Sequence, residues 1–241
     1  MYVGGVRFGG AARGGLFGLG VLAGCAFQPN AFVATPDVDA AQPAFCDPAD
    51  GNLIACFELE GNAQDGSPNH LDATISGVTF RAGKIGQAAQ VDAGSILSIA
   101  ESSLLDPPAI TMEAWIHPTQ LPAAGSRAGI VDNNFQYGFF LHPGGALQCI
   151  GLQAMANVQA GTWTHVACTY DGTTRIYAGG VQVDMTAGNG GSLDPGGSTG
   201  TSIAGDNPSG SPLIGAIDQI RIFKIARTAS QICADAGRSC P

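Results

Sequence analysis

The sequence predicts an all-β protein, an antiparallel two-sheet sandwich with a short C-terminal helix. Composition is the first observation behind this. Only 12% of the 241 residues are charged, while Gly numbers 36 and Pro 14, which favours many short strands and tight turns over a helical bundle. The second is WTHVACTYDGTTRIYAGGVQV, residues 163–183. Val166, Cys168 and Tyr170 alternate with Trp163, His165 and Thr169, as expected of a half-buried strand. The third is its turn chemistry. Asp171-Gly172 and Gly179-Gly180 each suit a tight reversal, so three strands in a meander follow one another.

The chain begins with an export-like segment, residues 1–24. Arg7 and Arg13 give a positive start, Leu16 to Gly24 is a short apolar run, and small residues precede Cys25. The run is shorter than the roughly 20 apolar residues that a bilayer span needs. Leu22-Ala23-Gly24-Cys25 resembles the lipobox of bacterial lipoproteins. That resemblance implies cleavage before Cys25, lipidation of its sulfur, and an anchor in the outer membrane or at the cell surface. The other reading is an ordinary cleaved signal with a chance cysteine. Residues 25–45 hold Pro29, Pro36 and Pro43 without periodicity and read as an extended tether.

Residues 46–240 read as one domain. Leu53 to Leu59 alternates as a first strand, and a loop dense in Gly, Asn, Asp, Ser and Pro runs from Gly61 to His70. Further strands are expected near Thr74–Phe80, Ala88–Val91, Ile96–Ile99, Ile110–His117, Gly129–Val131, Tyr137–Leu141 and Leu147–Leu152. After the meander, residues 192–212 are mostly small and polar, with possible pairing near Ser202 to Ala204. Ile214 to Phe223 is the last strong strand. Thr228 and Gln231 form a capping box, and Gly237 supplies a left-handed stop.

Charge excludes one class of partner. Without Arg7 and Arg13 the chain carries 8 Lys/Arg against 19 Asp/Glu. Such a surface repels phosphate, so nucleic acid is not an expected ligand.

Four segments in order resemble the laminin-G-like jelly roll of the concanavalin-A-like lectin/glucanase superfamily. They are DGSPNHLDATISGVTFRAGKIGQAAQVD (Asp65 to Asp92), ITMEAWIHP (Ile110 to Pro118), the meander already quoted, and IGAIDQIRIFKIARTASQI (Ile214 to Ile232). The resemblance covers nearly all of 46–240 and implies a jelly roll. Pro68 stands where such domains often carry Gly, and Gly179-Gly180 replaces a common Asn-Gly turn. The family sometimes binds calcium through the first loop and the last strand, which here implies Asp65, Asn69 and Asp218. Ser67 and Asp72 add oxygen donors of the kind hard cations prefer. Asp218 is in step with Ile220 and Ile222, which suggests an inward carboxylate.

Glycosidases of this superfamily resemble one another in a Glu-x-Asp-x-x-Glu strand, a string this chain lacks: Glu113 is followed by Trp115 and Pro118 at the matching positions. Glu58 and Glu60 form the i, i+2 carboxylate pair of the first strand, spaced about 6.5–7 Å if the strand continues through them, which is within reach of inverting hydrolysis. The plainer reading is a solvated face. Neither His70, His117, His142 nor His165 lies in a nucleophile or zinc motif. Trp115, Tyr137, Phe140, Trp163 and Tyr177 are aromatic candidates for stacking sugars. The resemblance makes Trp115 and Trp163 core positions. Tyr177, in step with Arg175, is expected to face solvent and bind ligand. Three functions follow: a surface-tethered module for carbohydrate or an extracellular protein, a hydrolase using Glu58 and Glu60, or a structural envelope protein.

Six cysteines remain after Cys25, and an oxidising compartment favours three bridges. Turns between Cys46 and Cys56, and between Cys233 and Cys240, favour local pairing at each end. Crossed pairing stays open, because the first and last strands of a jelly roll are often neighbours. Cys149 and Cys168 are expected to face each other across a hairpin of successive strands centred between Val158 and Gln159.

Overall fold

A computed structural model describes residues 44–134, 136–188, 193, 200–207 and 211–240. The export-like segment 1–24, Cys25 and residues 26–43 of the expected tether lie outside the described residues. Fifteen strands are assigned, in chain order: β1 (Leu53–Phe57), β2 (Ala73–Ser76), β3 (Thr79–Ala82), β4 (Gln87–Val91), β5 (Ile96–Ile99), β6 (Ile110–Pro118), β7 (Ala128–Asn133), β8 (Tyr137–Leu141), β9 (Ala146–Cys149), β10 (Leu152–Met155), β11 (Thr164–Tyr170), β12 (Thr173–Ala178), β13 (Val181–Ala187), β14 (Thr201–Ile203) and β15 (Gly215–Phe223). One helix, α1 (Ala229–Asp235), follows. Among these residues no helix is long and apolar enough to cross a membrane.

The strands form two antiparallel sheets. One has eight strands in the order β13-β12-β11-β6-β15-β4-β3, with β1 also paired to β15; the other has seven, β10-β9-β8-β7-β14-β5-β2. Their inner faces share one core. β11 contributes Val166, Cys168 and Tyr170, β8 contributes Phe139 and Leu141, and β6 contributes Ile110, Met112 and Ile116. This is the predicted period-two alternation, with the apolar set turned inward. The fold is the all-β jelly-roll sandwich with a short C-terminal helix that the sequence predicts.

Three elements depart from expectation. Thr74–Phe80 is two strands, divided at Gly77 (φ 65°). Leu147–Leu152 is likewise two, because Ile150 (φ 40°) and Gly151 (φ 79°) reverse the chain and let β10 pair with β9. Within β15, Gln219 adopts φ 51°, and the register with β6 slips between Asp218 and Arg221. That bulge changes which residues face inward. Ile217, Ile220 and Ile222 enter the core, while Asp218 pairs with Trp115 and shares its outer face. Asp218 is nonetheless fully buried there, beneath the β3–β4 turn, so the buried carboxylate expected of it is found on the outer face rather than in the core.

Cysteines are joined Cys46–Cys56, Cys149–Cys168 and Cys233–Cys240. Cys149 and Cys168 pair as expected, but their strands do not form a hairpin. β9 belongs to the seven-stranded sheet and β11 to the eight-stranded one, so the bridge crosses the core.

The helix covers the outer face of the eight-stranded sheet. Thr228 and Gln231 make both halves of the capping box. Ile232 packs on Ala167 and Tyr177. The Gly179-Gly180 turn has φ of 55° and 75°, and a Cβ on Gly180 would fall 2.7 Å from that of Ala236. Glycine therefore serves both the hairpin turn and the close approach of the helix end.

Candidate functional site

An open concavity lies on the outer face of the seven-stranded sheet. Register builds it. Asp132 on β7 is opposite Gly138 on β8, and Phe140 on β8 is opposite Gln148 on β9. Opposed residues share a face, and Phe139 and Leu141 take the inner one, so these four look outward. A Cβ on Gly138 would lie 2.3 Å from the Phe140 ring. Only glycine there lets the ring lie flat on the sheet. Arg127 stacks above that ring at 3.8 Å and donates to both oxygens of Asp206, at 2.7 and 3.0 Å. The result is a depression of about 390 Å³, also lined by Asn134, Gln136, Tyr137 and Asn207.

Its polar groups are held ready for a ligand. Gln148 is fixed by His142, with Oε1 2.6 Å from the imidazole Nε2. Burial pushes the Asp132 carboxyl up to about 7; the Asn207 amide, 2.6 Å from Oδ2, opposes this, and neighbouring Asp206 raises it further. Asp132 is therefore poised to donate or accept near neutrality. Gln136 is buried, yet neither atom of its side-chain amide has a hydrogen-bond partner among the described residues. Leaving such a group unpaired costs about 1–3 kcal/mol, which a hydrogen-bonding ligand would recover.

The aromatic candidates separate. Phe140 and Tyr137 line this depression. Tyr137 points its hydroxyl to Asn133 and Thr201, and burial raises it to about 12. Trp115 and Trp163 stand on the outer face of the other sheet rather than in the core. There Trp115 meets the edge of His165 and lies under Lys84 Nζ at 4.3 Å, while Trp163 lies beside His117. Tyr177 is only 1% exposed, beneath the helix. The expected solvent-facing ligand contact at Tyr177 is corrected: Ile232 occupies the space where ligand would sit.

The residues proposed for calcium have other partners. Asp65 accepts from the amides of Cys56, Ser67 and Leu71 and from the Ser67 hydroxyl, at 2.7–2.8 Å. Asp72 accepts from the Asp65 amide. Asn69 turns its NH₂ group to the carbonyls of Leu53 and Ile54. Asp218 accepts from Lys84 and Ile85 in the β3–β4 turn. Its other oxygen has no hydrogen-bond partner among the described residues, and burial raises its pKa to about 6. Asp65 and Asn69 thus tie the first loop to β1, while Asp218 ties a different hairpin. Asp65, Asn69 and Asp218 therefore each have protein partners of their own. Among the described residues no group of three His, Cys, Asp or Glu side chains is placed to hold a metal.

Glu58 and Glu60 also miss the geometry proposed for them. β1 ends at Phe57, and Leu59 between them takes φ 61°. The strand spacing that suited a hydrolytic pair does not apply, and Glu60 Oε2 accepts from the Gln87 amide at 2.9 Å.

Buried charge on the opposite face serves the helix. Arg221 Nη2 lies 2.6 Å from Glu113 and 2.8 Å from Asp235 of α1, and Arg227 also pairs with Asp235. Burial pushes Glu113 up to about 7, against the lowering pull of Arg221. Burial lowers His165 to about 4. Arg221 also stacks on Phe45 at 4.3 Å, so this network holds the start of the domain and the helix on one sheet.

No signal in the sequence singled out Asp132, Gln136 or Gln148. They meet through sheet register, and none lies in a local motif.

Comparison with known proteins places this architecture. A sequence profile described as the concanavalin A-like lectin/glucanases superfamily matches residues 91–233, more than half of the chain. No match is found among curated proteins. Among solved structures, domain 4 of an extracellular arabinanase from Geobacillus stearothermophilus, in complex with arabinotriose, superposes with a TM-score of 0.65. It is 22% identical, over 77% of this chain and 98% of that one. The binding domain of Paraclostridial Mosquitocidal Protein 1 gives 0.60 at 15% identity, over 77% of this chain and 52% of the other. Botulinum neurotoxin type C, whose cell entry is described as dependent on interaction with two ganglioside molecules, gives 0.52 at 13%, over 76% and 50%. The chain thus spans about half of each toxin structure. At these identities the likeness concerns the fold, and with the profile match it places the chain in one family: the protein belongs to the concanavalin A-like lectin/glucanases superfamily.

Proposed function

We propose that this protein is a non-catalytic carbohydrate-binding module, exported and tethered to the outer membrane or cell surface through a lipid on Cys25. In this reading residues 1–24 are removed, 25–45 form the tether, and 46–240 carry the binding domain. One observation carries the ligand assignment. The depression over β7–β9 gathers the unpartnered Gln136 amide, the protonatable Asp132 and the anchored Gln148. Sugar hydroxyls both donate and accept, and this set matches them. Arabinotriose bound to a domain of the same fold supports the ligand class. The absence of the Glu-x-Asp-x-x-Glu string and the broken spacing of Glu58 and Glu60 support binding over hydrolysis.

A glycan array probed with residues 44–241 and with Gln136→Ala tests the ligand. Selective binding by the first, weakened in the second, is expected; a blank array at high protein concentration would defeat the reading. Mass spectrometry of the exported protein tests the anchor. An acylated Cys25 at the amino terminus is expected, and a free Cys25 or cleavage elsewhere would remove that part.

A further inference from the structure

The depression is one half of a longer feature. On the same outer face lies a second one of about 530 Å³, lined by Thr74, Ser98, Ser202 and Asn207 among others. The two meet at Asn207, which lines both. Asn207 is fixed there: its backbone amide donates to Asp132, and its side chain donates to the Gly200 carbonyl at 3.2 Å. The chain around it lies low on the sheet. A Cβ on Gly129 would come 2.0 Å from the Gly205 carbonyl oxygen, and one on Gly205 would come 2.8 Å from Ser202 Oγ. This crossing forms a saddle between the two depressions.

Register joins them chemically. Thr74 on β2 is opposite Ser98 on β5, which is opposite Ser202 on β14, then Asp132 on β7 and Gly138 on β8. Five neighbouring strands at about 4.8 Å make a row roughly 19 Å long. Its side chains are small, and its hydroxyls both donate and accept. Among the described residues that line the two depressions the cation is Arg127, and Asp206 neutralises it, so nothing on the row selects an anion.

We propose that this face binds an extended, uncharged oligosaccharide laid across the strands, with Thr74, Ser98 and Ser202 forming a second subsite beyond Asn207. The inference rests on the carbohydrate reading and deepens it, from a sugar to a chain of several units. A single sugar would fill one depression and leave the hydroxyl row unused.

Calorimetric titration with disaccharides and hexasaccharides of the arabino-, xylo- and cello- series tests it. In the series that binds, the hexasaccharide is expected to bind about 10-fold more tightly than the disaccharide, the effect of one or two added hydrogen bonds. Ser98→Ile and, separately, the exposed Thr74→Ile, which fill the row and remove a hydroxyl without adding a ring that could stack on sugar, should bring the hexasaccharide down to disaccharide affinity while leaving the disaccharide unchanged. Equal affinities for the two lengths, or filled variants that bind the hexasaccharide like wild type, would overturn the second subsite while leaving the carbohydrate reading in place. Failure of every oligosaccharide to bind would overturn both.

Discussion

Cys149 and Cys168 sit on opposite sheets and are bonded across the core, with Cα atoms 6.3 Å apart. That span lies within the range a disulfide accepts. The bond ties β9, which carries Gln148 of the candidate site, to β11 at the centre of the other sheet. It therefore fixes the spacing of the sheets beneath the depression.

Replacing both cysteines by Ala should lower stability by about 3 kcal/mol, the loop entropy released to the unfolded chain plus or minus native strain. Urea denaturation measures this. A variant pair as stable as wild type would show that packing alone sets the sheet spacing.

Stability should fall as pH rises from about 5 to 7. Folding raises Glu113 from 4.5 to about 7, Asp132 from 3.8 to about 7, and Asp218 from 3.8 to about 6. In that window the folded chain holds protons that the unfolded chain has released, so raising pH favours unfolding. His165, lowered from 6.5 to about 4, acts in the opposite sense, because the unfolded chain takes up its proton as pH falls. Removing it by His165→Gln should steepen the decline with pH, and Glu113→Gln should flatten it. Thermal melts across pH 4.5–7.5 read both slopes; identical profiles for wild type and the two variants would contradict this account of the buried charges.

Gln136→Ala separates binding from folding. Its amide is buried without partners among the described residues, so truncation removes an unpaired-group cost of about 1–3 kcal/mol and should not lower stability. Glycan affinity should fall roughly 5- to 10-fold, the loss of one or two ligand hydrogen bonds. A large loss of stability with unchanged affinity would make Gln136 a structural residue.

Arg221→Met should loosen the helix while sparing the glycan site. It leaves Glu113 and Asp235 without their shared cation, and breaking such a buried pair costs about 3–5 kcal/mol. Hydrogen exchange should rise in 229–240 more than in 128–149. Equal protection in wild type and variant would show that Ile232 packing and the Cys233–Cys240 bond suffice.

The strands of the meander were legible because alternation, Asp-Gly and Gly-Gly are local signals. The capping box of Thr228 and Gln231 was legible for the same reason. Alternation failed where backbone geometry shifts its phase. Gln219 bulges and moves Asp218 to the outer face, where the β3–β4 turn buries it, and Ile150-Gly151 hides a hairpin inside one apolar run. Strand phase gives Tyr177 a face but not what covers it, and here a helix more than fifty residues later does. The site was illegible for a further reason. Asp132, Gly138 and Ser202 become neighbours only through pairing of β7, β8 and β14, which no single-sequence pattern specifies.

The central claim is that glycan binds on the outer face of the seven-stranded sheet. Amide-resolved NMR titration with the glycan bound most tightly on the array tests it most directly, because glutamine side-chain amides and tryptophan indoles report from opposite faces. The account expects the side-chain amides of Gln136 and Gln148 to shift while the indoles of Trp115 and Trp163 stay in place. Shifts confined to the two indoles would contradict it.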